Sequence, residues 1–316
     1  MELIHNYAFF FAKTITVLAA ILIVISALAS QNKKKDEMEA ECLNENINNN
    51  KLKLIKQFKW KHIKKSKHEF TKLPKLFILD FKGDLKASQT KQLSEEISSI
   101  ISLAQPGDEV MLRLESPGGV VNGYGLAASQ LERLRNHSIP LTICVDQVAA
   151  SGGYLMACIA NKIIAAPFAI LGSIGVIAQI PNFNKLLKKH NIEFEQITAG
   201  EYKRTLTMFG ENSDAARKKF TEDLQKIHDN FKQHVLTYRP QLDIAKVATG
   251  EYWLARDALH LGLADELKTS DDFIMEKTTN FQLITLRKNK RQSLIEKISG
   301  SSAKFIEQKA YSIPFL

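Results

Sequence analysis

Cysteine is scarce in this 316-residue chain, which carries only Cys42, Cys144 and Cys158. An odd, widely spaced set builds no disulfide framework, and no Cys/His spacing matches a zinc site. Cys144 and Cys158 fall in apolar runs, as small core residues do. A domain-wide charge of one sign is lacking too. The formal net charge is +9, yet residues 51–75 hold ten lysines against the single acid Glu69, and the remainder is close to neutral. That confines the basic character to a segment and argues against a nucleic-acid face spread over a domain. The charged and apolar fractions are those of a folded chain.

A long hydrophobic run is present at the N-terminus. Tyr7 to Ala29 is apolar apart from Lys13 and a few hydroxyls, long enough as a helix to cross about 30 Å of hydrocarbon. Residues 1–30 therefore read as a membrane anchor touching lipid. A cleaved secretory signal ending at Ala27-Leu28-Ala29 competes with this reading, and the full apolar length favours the uncleaved anchor. Residues 31–72 are polar and lysine-rich and read as a linker. Phe58, Trp60 and Phe70 interleave with its lysines. Beside an anchor, attraction to anionic headgroups is more economical than contact with RNA, and no nucleic-acid partner is expected.

From residue 73 to 270 apolar strands alternate with amphipathic helices. Strands are expected at Leu76–Phe81, Glu109–Leu114, Leu141–Val145, Lys162–Ala166, Gly172–Ala178 and Glu193–Thr198. Helices are expected at Ser88–Leu103, Val120–Leu134, Gly152–Ile159, Asn182–His190, Ala215–Tyr238 and Ala255–Leu261. That order gives an α/β fold with a largely parallel sheet. Residues 271–316 form a C-terminal extension, basic at first and then mildly amphipathic.

The chemistry concentrates on two glycine-marked loops. Asp146 to Met156 leads from a strand through Ala-Ala-Ser-Gly-Gly into a helix, which exposes the Ser151 hydroxyl beside a helix N-terminus. Ser116-Pro117-Gly118-Gly119 follows the preceding strand and can aim backbone amides at a developing oxyanion. Successive parallel strands bring such loops to one sheet edge. A serine nucleophile needs a base. Among the eight histidines none sits in a catalytic setting: His5, His62 and His68 precede the body, His137 and His190 lie in polar surroundings, His228 and His234 ride a charged helix, and His260 precedes Gly262. A buried lysine is the other route, because desolvation makes its amine neutral near pH 7. Lys203 follows a glycine turn with Tyr202 beside it to cover the amine, and by spacing alone Lys162 fits about as well.

The ordered series Ser-Pro-Gly-Gly, Ala-Ala-Ser-Gly-Gly-Tyr, Gly-Ser-Ile-Gly-Val and Gly-Glu-Tyr-Lys-Arg resembles the signal peptide peptidase A family of membrane serine proteases. The anchor, the lysine-rich linker and Phe-Gly-Glu-Asn at 209–212 resemble its SohB branch. The resemblance implies a ClpP/crotonase-like fold behind a single N-terminal transmembrane helix, and a Ser-Lys dyad with no cofactor and no metal. By it Ser151 is the nucleophile, Lys203 the general base, and Gly118 or Gly119 with Gly152 the oxyanion hole; Ser173 orients the lysine amine. It also implies hydrophobic peptide substrates such as remnant signal peptides or misfolded membrane-protein segments. A homo-oligomer sharing active sites between subunits is implied as well, as is a single-pass place in a bacterial inner membrane with a periplasmic body. Two rivals stand beside it: a non-catalytic membrane scaffold of the same fold, and a crotonase-like acyl-CoA enzyme.

Overall fold

The structure, a computed structural model, describes residues 2–31, 38–57 and 73–288. It divides into two units, a terminal one (1–39 and 287–316) and a body (40–286). In the terminal unit, α1 (Glu2–Gln31) runs for 30 residues. Tyr7, Phe9, Phe10, Phe11, Ile15, Val17, Leu18 and Ile21 are exposed along it. Among the described residues no helix is long and apolar enough to cross a membrane. The side chains of residues 22–31 lie outside the described ones, so the expected 23-residue span is seen only in its first part.

The body begins with β1 (Met38–Cys42) and α2 (Leu43–Gln57), followed by β2 (Lys75–Lys82), α3 (Thr90–Leu103), β3 (Glu109–Glu115) and α4 (Val121–Asn136). Next come β4 (Leu141–Val145), β5 (Val148–Ala150), α5 (Gly152–Ala157), β6 (Lys162–Ala165), β7 (Ile170–Gly172) and α6 (Asn184–Lys189). The chain continues through α7 (Asp214–Tyr238), α8 (Ile244–Val247), β8 (Tyr252–Leu254), α9 (Ala255–His260), β9 (Glu266–Leu267), α10 (Ser270–Lys277) and β10 (Gln282–Lys288). Seven strands form one sheet in the order β1-β10-β2-β3-β4-β6-β9. From β10 to β9 every registered pair is parallel. Central parallel strands are covered on both faces and so need unbroken apolar runs. Leu76–Leu79 of β2 and Val110–Leu112 of β3 meet that need and are buried. Helix α3 turns Leu93, Ile97 and Ile100 inward, the 3.6-residue spacing of one helix face.

A second sheet, β5-β7-β8, leans on the first. Strand β5 pairs parallel with β7 and β7 antiparallel with β8. Ser116, just past β3, bridges in parallel to Ala149 of β5 and joins the two sheets.

Three expectations need correction. The stretch read as a linker holds β1 and α2, and α2 is docked: Asn44 is buried, its Nδ2 donates to the carbonyls of Thr278 and Phe281, and its Oδ1 accepts from the Leu283 amide. The body does not end at residue 270, because α10 follows and β10 lies inside the sheet. Gly172–Ala178 and Glu193–Thr198 are not strands; only Ile170–Gly172 pairs, and residues 193–198 have no regular structure. Phe194, Ile197 and Thr198 are residue types that strands favour, but among the described residues no neighbour pairs with this segment and Ile197 is 94% exposed.

Candidate active site

Ser151 stands between β5 and α5 with φ 51° and ψ −118°, a conformation that L-residues enter only when their surroundings force it. Here the surroundings do. The Ser151 amide donates to Gly172 O at 2.8 Å, which ties the turn to β7, and Ser151 O accepts from the Leu155 amide at 2.9 Å, which starts the helix. In the β5–β7 register Ala150 faces Gly172. Ser173 follows on the neighbouring strand, also with φ 51°, and its amide donates to Glu251 O. Both serines are half-buried.

The Ser116–Gly119 loop packs against this turn. Gly118 has φ 92°, and a Cβ there would lie 2.7 Å from Ser151 Cβ and 2.8 Å from the Gly152 amide nitrogen. Only glycine permits that approach. The Gly118 N–H is already taken, since it donates to Ser116 Oγ at 3.1 Å. Among the described residues the Gly119 N–H meets no acceptor. The Gly152 N–H, at the first position of α5, is one of the amides a helix start leaves unpaired. Of the three glycines expected around an oxyanion, Gly119 and Gly152 therefore retain unclaimed donors, and Gly118 serves to bring the loop close.

Sequence reasoning missed the layer beneath. Ser116 Oγ lies 2.6 Å from Tyr124 Oη, which donates to Asp84 O at 2.9 Å. Tyr124 is fully buried on α4, and its ring would be 2.4 Å from any Cβ on Gly152. The signal was present in the Ser-Pro-Gly-Gly motif, where Ser116 was read only as part of a turn. The two histidines of α7 were placed on a charged helix, and that is where they are. Each also donates to a backbone carbonyl near the site: His228 Nε2 to Ile174 O at 3.2 Å, and His234 Nε2 to Leu155 O at 3.1 Å.

Two family models match the chain, Peptidase family S49 N-terminal over residues 2–131 and Peptidase family S49 over residues 133–283. A probable protease SohB of Buchnera aphidicola subsp. Schlechtendalia chinensis is 49% identical over 305 residues, 88% of this chain and 100% of the relative. A probable protease SohB of Haemophilus influenzae is 44% identical over 325 residues, 94% of this chain and 92% of the relative. The chain belongs to peptidase family S49. More distantly, the S49 chain is 28% identical to protease 4 of Haemophilus influenzae over 167 residues, 52% of its own length and 27% of the relative.

In this S49 peptidase, Lys203 is exposed in a loop just past Gly200 (φ 94°). Among the described residues its amine makes no hydrogen bond or ion pair, and neither Ser151 Oγ nor Ser173 Oγ has a side-chain partner. Tyr202, expected to cover the Lys203 amine, is 57% exposed, and its ring centre lies 5.3 Å from Lys219 Nζ. Lys162, the other lysine that fitted by spacing, pairs with Glu266 at 2.5 Å and is thereby engaged elsewhere.

Proposed function

We propose that this S49 peptidase is a serine endopeptidase in which Ser151 is the nucleophile and Lys203 the general base. The observation that carries the reading is the Ser151 elbow: a serine held at φ 51° with the unclaimed Gly152 amide next to it and the Gly118 backbone packed against it. Ser151 Oγ attacks the peptide carbonyl carbon while its proton passes to neutral Lys203 Nζ. The carbonyl oxygen becomes an oxyanion that accepts from Gly119 and Gly152. Lys203 returns the proton to the departing amine. It then takes a proton from the water that adds to the acyl-enzyme, and as the second tetrahedral species collapses to free acid, Lys203 gives that proton to the departing Ser151 Oγ. Ser173, one strand over, orients the amine.

An amine that is neutral near pH 7 needs burial, and in a single chain Lys203 is exposed. The active assembly is therefore a homo-oligomer in which Lys203 of one copy serves Ser151 of another. Support comes from residues 175–230, none of which is buried, with Ile177, Phe183, Ile192, Phe194, Ile197 and Phe209 exposed. A segment this long that exposes large apolar side chains and buries none of its own residues suits a face that another copy covers. The substrates are hydrophobic peptides, such as remnant signal peptides or segments of misfolded membrane proteins. The exposed apolar side chains of α1 support a lipid-embedded anchor, single-pass in a bacterial inner membrane with a periplasmic body.

Subunit mixing tests this. Ser151→Ala and Lys203→Ala should each abolish hydrolysis of an apolar peptide, and an equal mixture, dissociated and reassembled, should regain activity. Activity surviving in Lys203→Ala would remove the lysine from the mechanism. A dead mixture would place both groups in one chain.

A further inference from the structure

We propose that Ser116 and Tyr124 are positioning residues that fix which amides face the oxyanion, a role that rests on the acyl-transfer reading above. The two hydroxyls form a chain whose direction the structure dictates. Gly118 N–H donates to Ser116 Oγ at 3.1 Å. Tyr124 Oη donates to Asp84 O at 2.9 Å. With the tyrosine proton spent there, the 2.6 Å contact between the two hydroxyls is filled by the Ser116 proton. Each oxygen thus accepts once and donates once. Burial holds the Tyr124 phenol above its ordinary pKa, so the donor to Asp84 stays in place through neutral pH.

The chain turns the Gly118 amide inward. A flip of that peptide would strand buried Ser116 Oγ without its donor, at a cost of about 1–3 kcal/mol. Keeping Gly118 inward keeps the next amide, Gly119, free. Tyr124 touches the other donor as well, because its ring lies against Gly152. One side chain therefore bears on both oxyanion donors, through Ser116 and Gly118 on one side and by direct packing on the other. The pocket around the two hydroxyls has no slack: a Cβ on Gly83 would lie 2.3 Å from both Ser116 Oγ and Tyr124 Oη, and one on Gly153 would lie 2.5 Å from Ser116 O. The arrangement has the features of an active-site brace. It is buried, fully paired and directional, and it stops one residue short of the chemistry.

The test compares a substrate-like peptide aldehyde, which forms a tetrahedral oxyanion with a nucleophilic serine, with the matching peptide alcohol, which does not. In wild-type enzyme the aldehyde should inhibit far more strongly. Tyr124→Phe keeps the ring against Gly152 and removes only the hydroxyl, and Ser116→Ala removes the acceptor of Gly118. In each, kcat should fall about tenfold or more with KM within about twofold. The aldehyde preference should fall by the same factor while the alcohol binds as before. A purely structural role would weaken both inhibitors together or neither, and thermal melting of each variant reports folding separately. Unchanged aldehyde preference in both variants, over a responsive wild type, overturns the positioning role alone. A wild type with no aldehyde preference and no labelling of Ser151 by a fluorophosphonate overturns the acyl-transfer reading and the positioning role with it.

Discussion

Ser151 and Ser173 each stand one residue past the end of a strand, β5 and β7, which run parallel in register, and each has φ 51°. Two serines forced into the same uncommon backbone state, side by side, indicate that strain was retained for position.

That strain is measurable. Ser151→Gly places the residue type that favours φ 51° at this turn, and should stabilise the fold by about 1 kcal/mol even after the added freedom of the unfolded chain. The melting temperature should rise by roughly 2–4 °C, while peptide hydrolysis is lost. A melting temperature that falls instead would mean the serine side chain stabilises the turn through contacts that glycine lacks.

The glycines of the elbow and of the adjacent helix should behave oppositely. A Cβ at Gly152 would lie 2.4 Å from the Tyr124 ring, and one at Gly125 meets nothing within 4 Å. Gly152→Ala should cost about 1–3 kcal/mol by overpacking and reduce kcat by at least a hundredfold as its amide shifts. Gly125→Ala, in the interior of α4, should gain up to about 1 kcal/mol with activity unchanged. Denaturant melts and a single kinetic assay on both variants check the pair.

Glu96 makes stability depend on pH. It is buried on α3, accepts one hydrogen bond from Gln92 Nε2, and burial pushes its carboxyl up to about 7 from an ordinary 4.5. Between those values the folded state holds a proton that the unfolded state has released, so stability falls as pH rises across that window. The full loss is on the order of 3 kcal/mol. Glu96→Gln keeps the shape and should flatten the profile, being more stable than wild type at pH 8 and similar at pH 4. Urea melts at the two pH values measure it; parallel profiles would show that Glu96 titrates normally in the fold.

Arg239 ends α7 with two nitrogens on Asp265 and a further bond to Gly262 O, while the same Asp265 accepts the Ile163 amide. Arg239 is buried but Asp265 keeps contact with solvent, so removing the arginine costs less than breaking a fully buried pair, on the order of 1–3 kcal/mol. Arg239→Met should destabilise by that order and leave the rate of fluorophosphonate labelling at Ser151 unaltered in the protein that remains folded. A stability change under about 0.5 kcal/mol would mean that packing of the methionine offsets the lost pair.

The central strands were legible because parallel strands covered on both faces demand unbroken apolar runs: Leu141–Val145 was placed residue for residue, and Leu76–Phe81 lies within β2. Ser151, Gly118 and Gly152 were legible because their residue types are rare in that order, and they do converge. What stayed hidden was set by partners far away in sequence. The Asn-rich stretch around Asn44 has the composition of a linker, and its burial depends on carbonyls more than 230 residues later. Tyr124 reads as one more helix residue until Ser116 and Asp84 arrive beside it. The segment 193–198 has strand-favouring residue types but no pairing neighbour among the described residues, and residue type alone cannot supply one.

Asn44 also bears on what happens if the chain is cut. Three hydrogen bonds at about 1 kcal/mol each and the packing of Leu43 and Ile47 on the core hold residues 43–47 to the stretch from Thr278 to Leu283, independently of the peptide connection to β2. A cleavage engineered between residues 57 and 73 would therefore sever the backbone without freeing the body from what precedes it. The same strapping makes residue 73 a poor place to begin a shortened protein, since β10 would be left with an open edge ready to pair with a stranger.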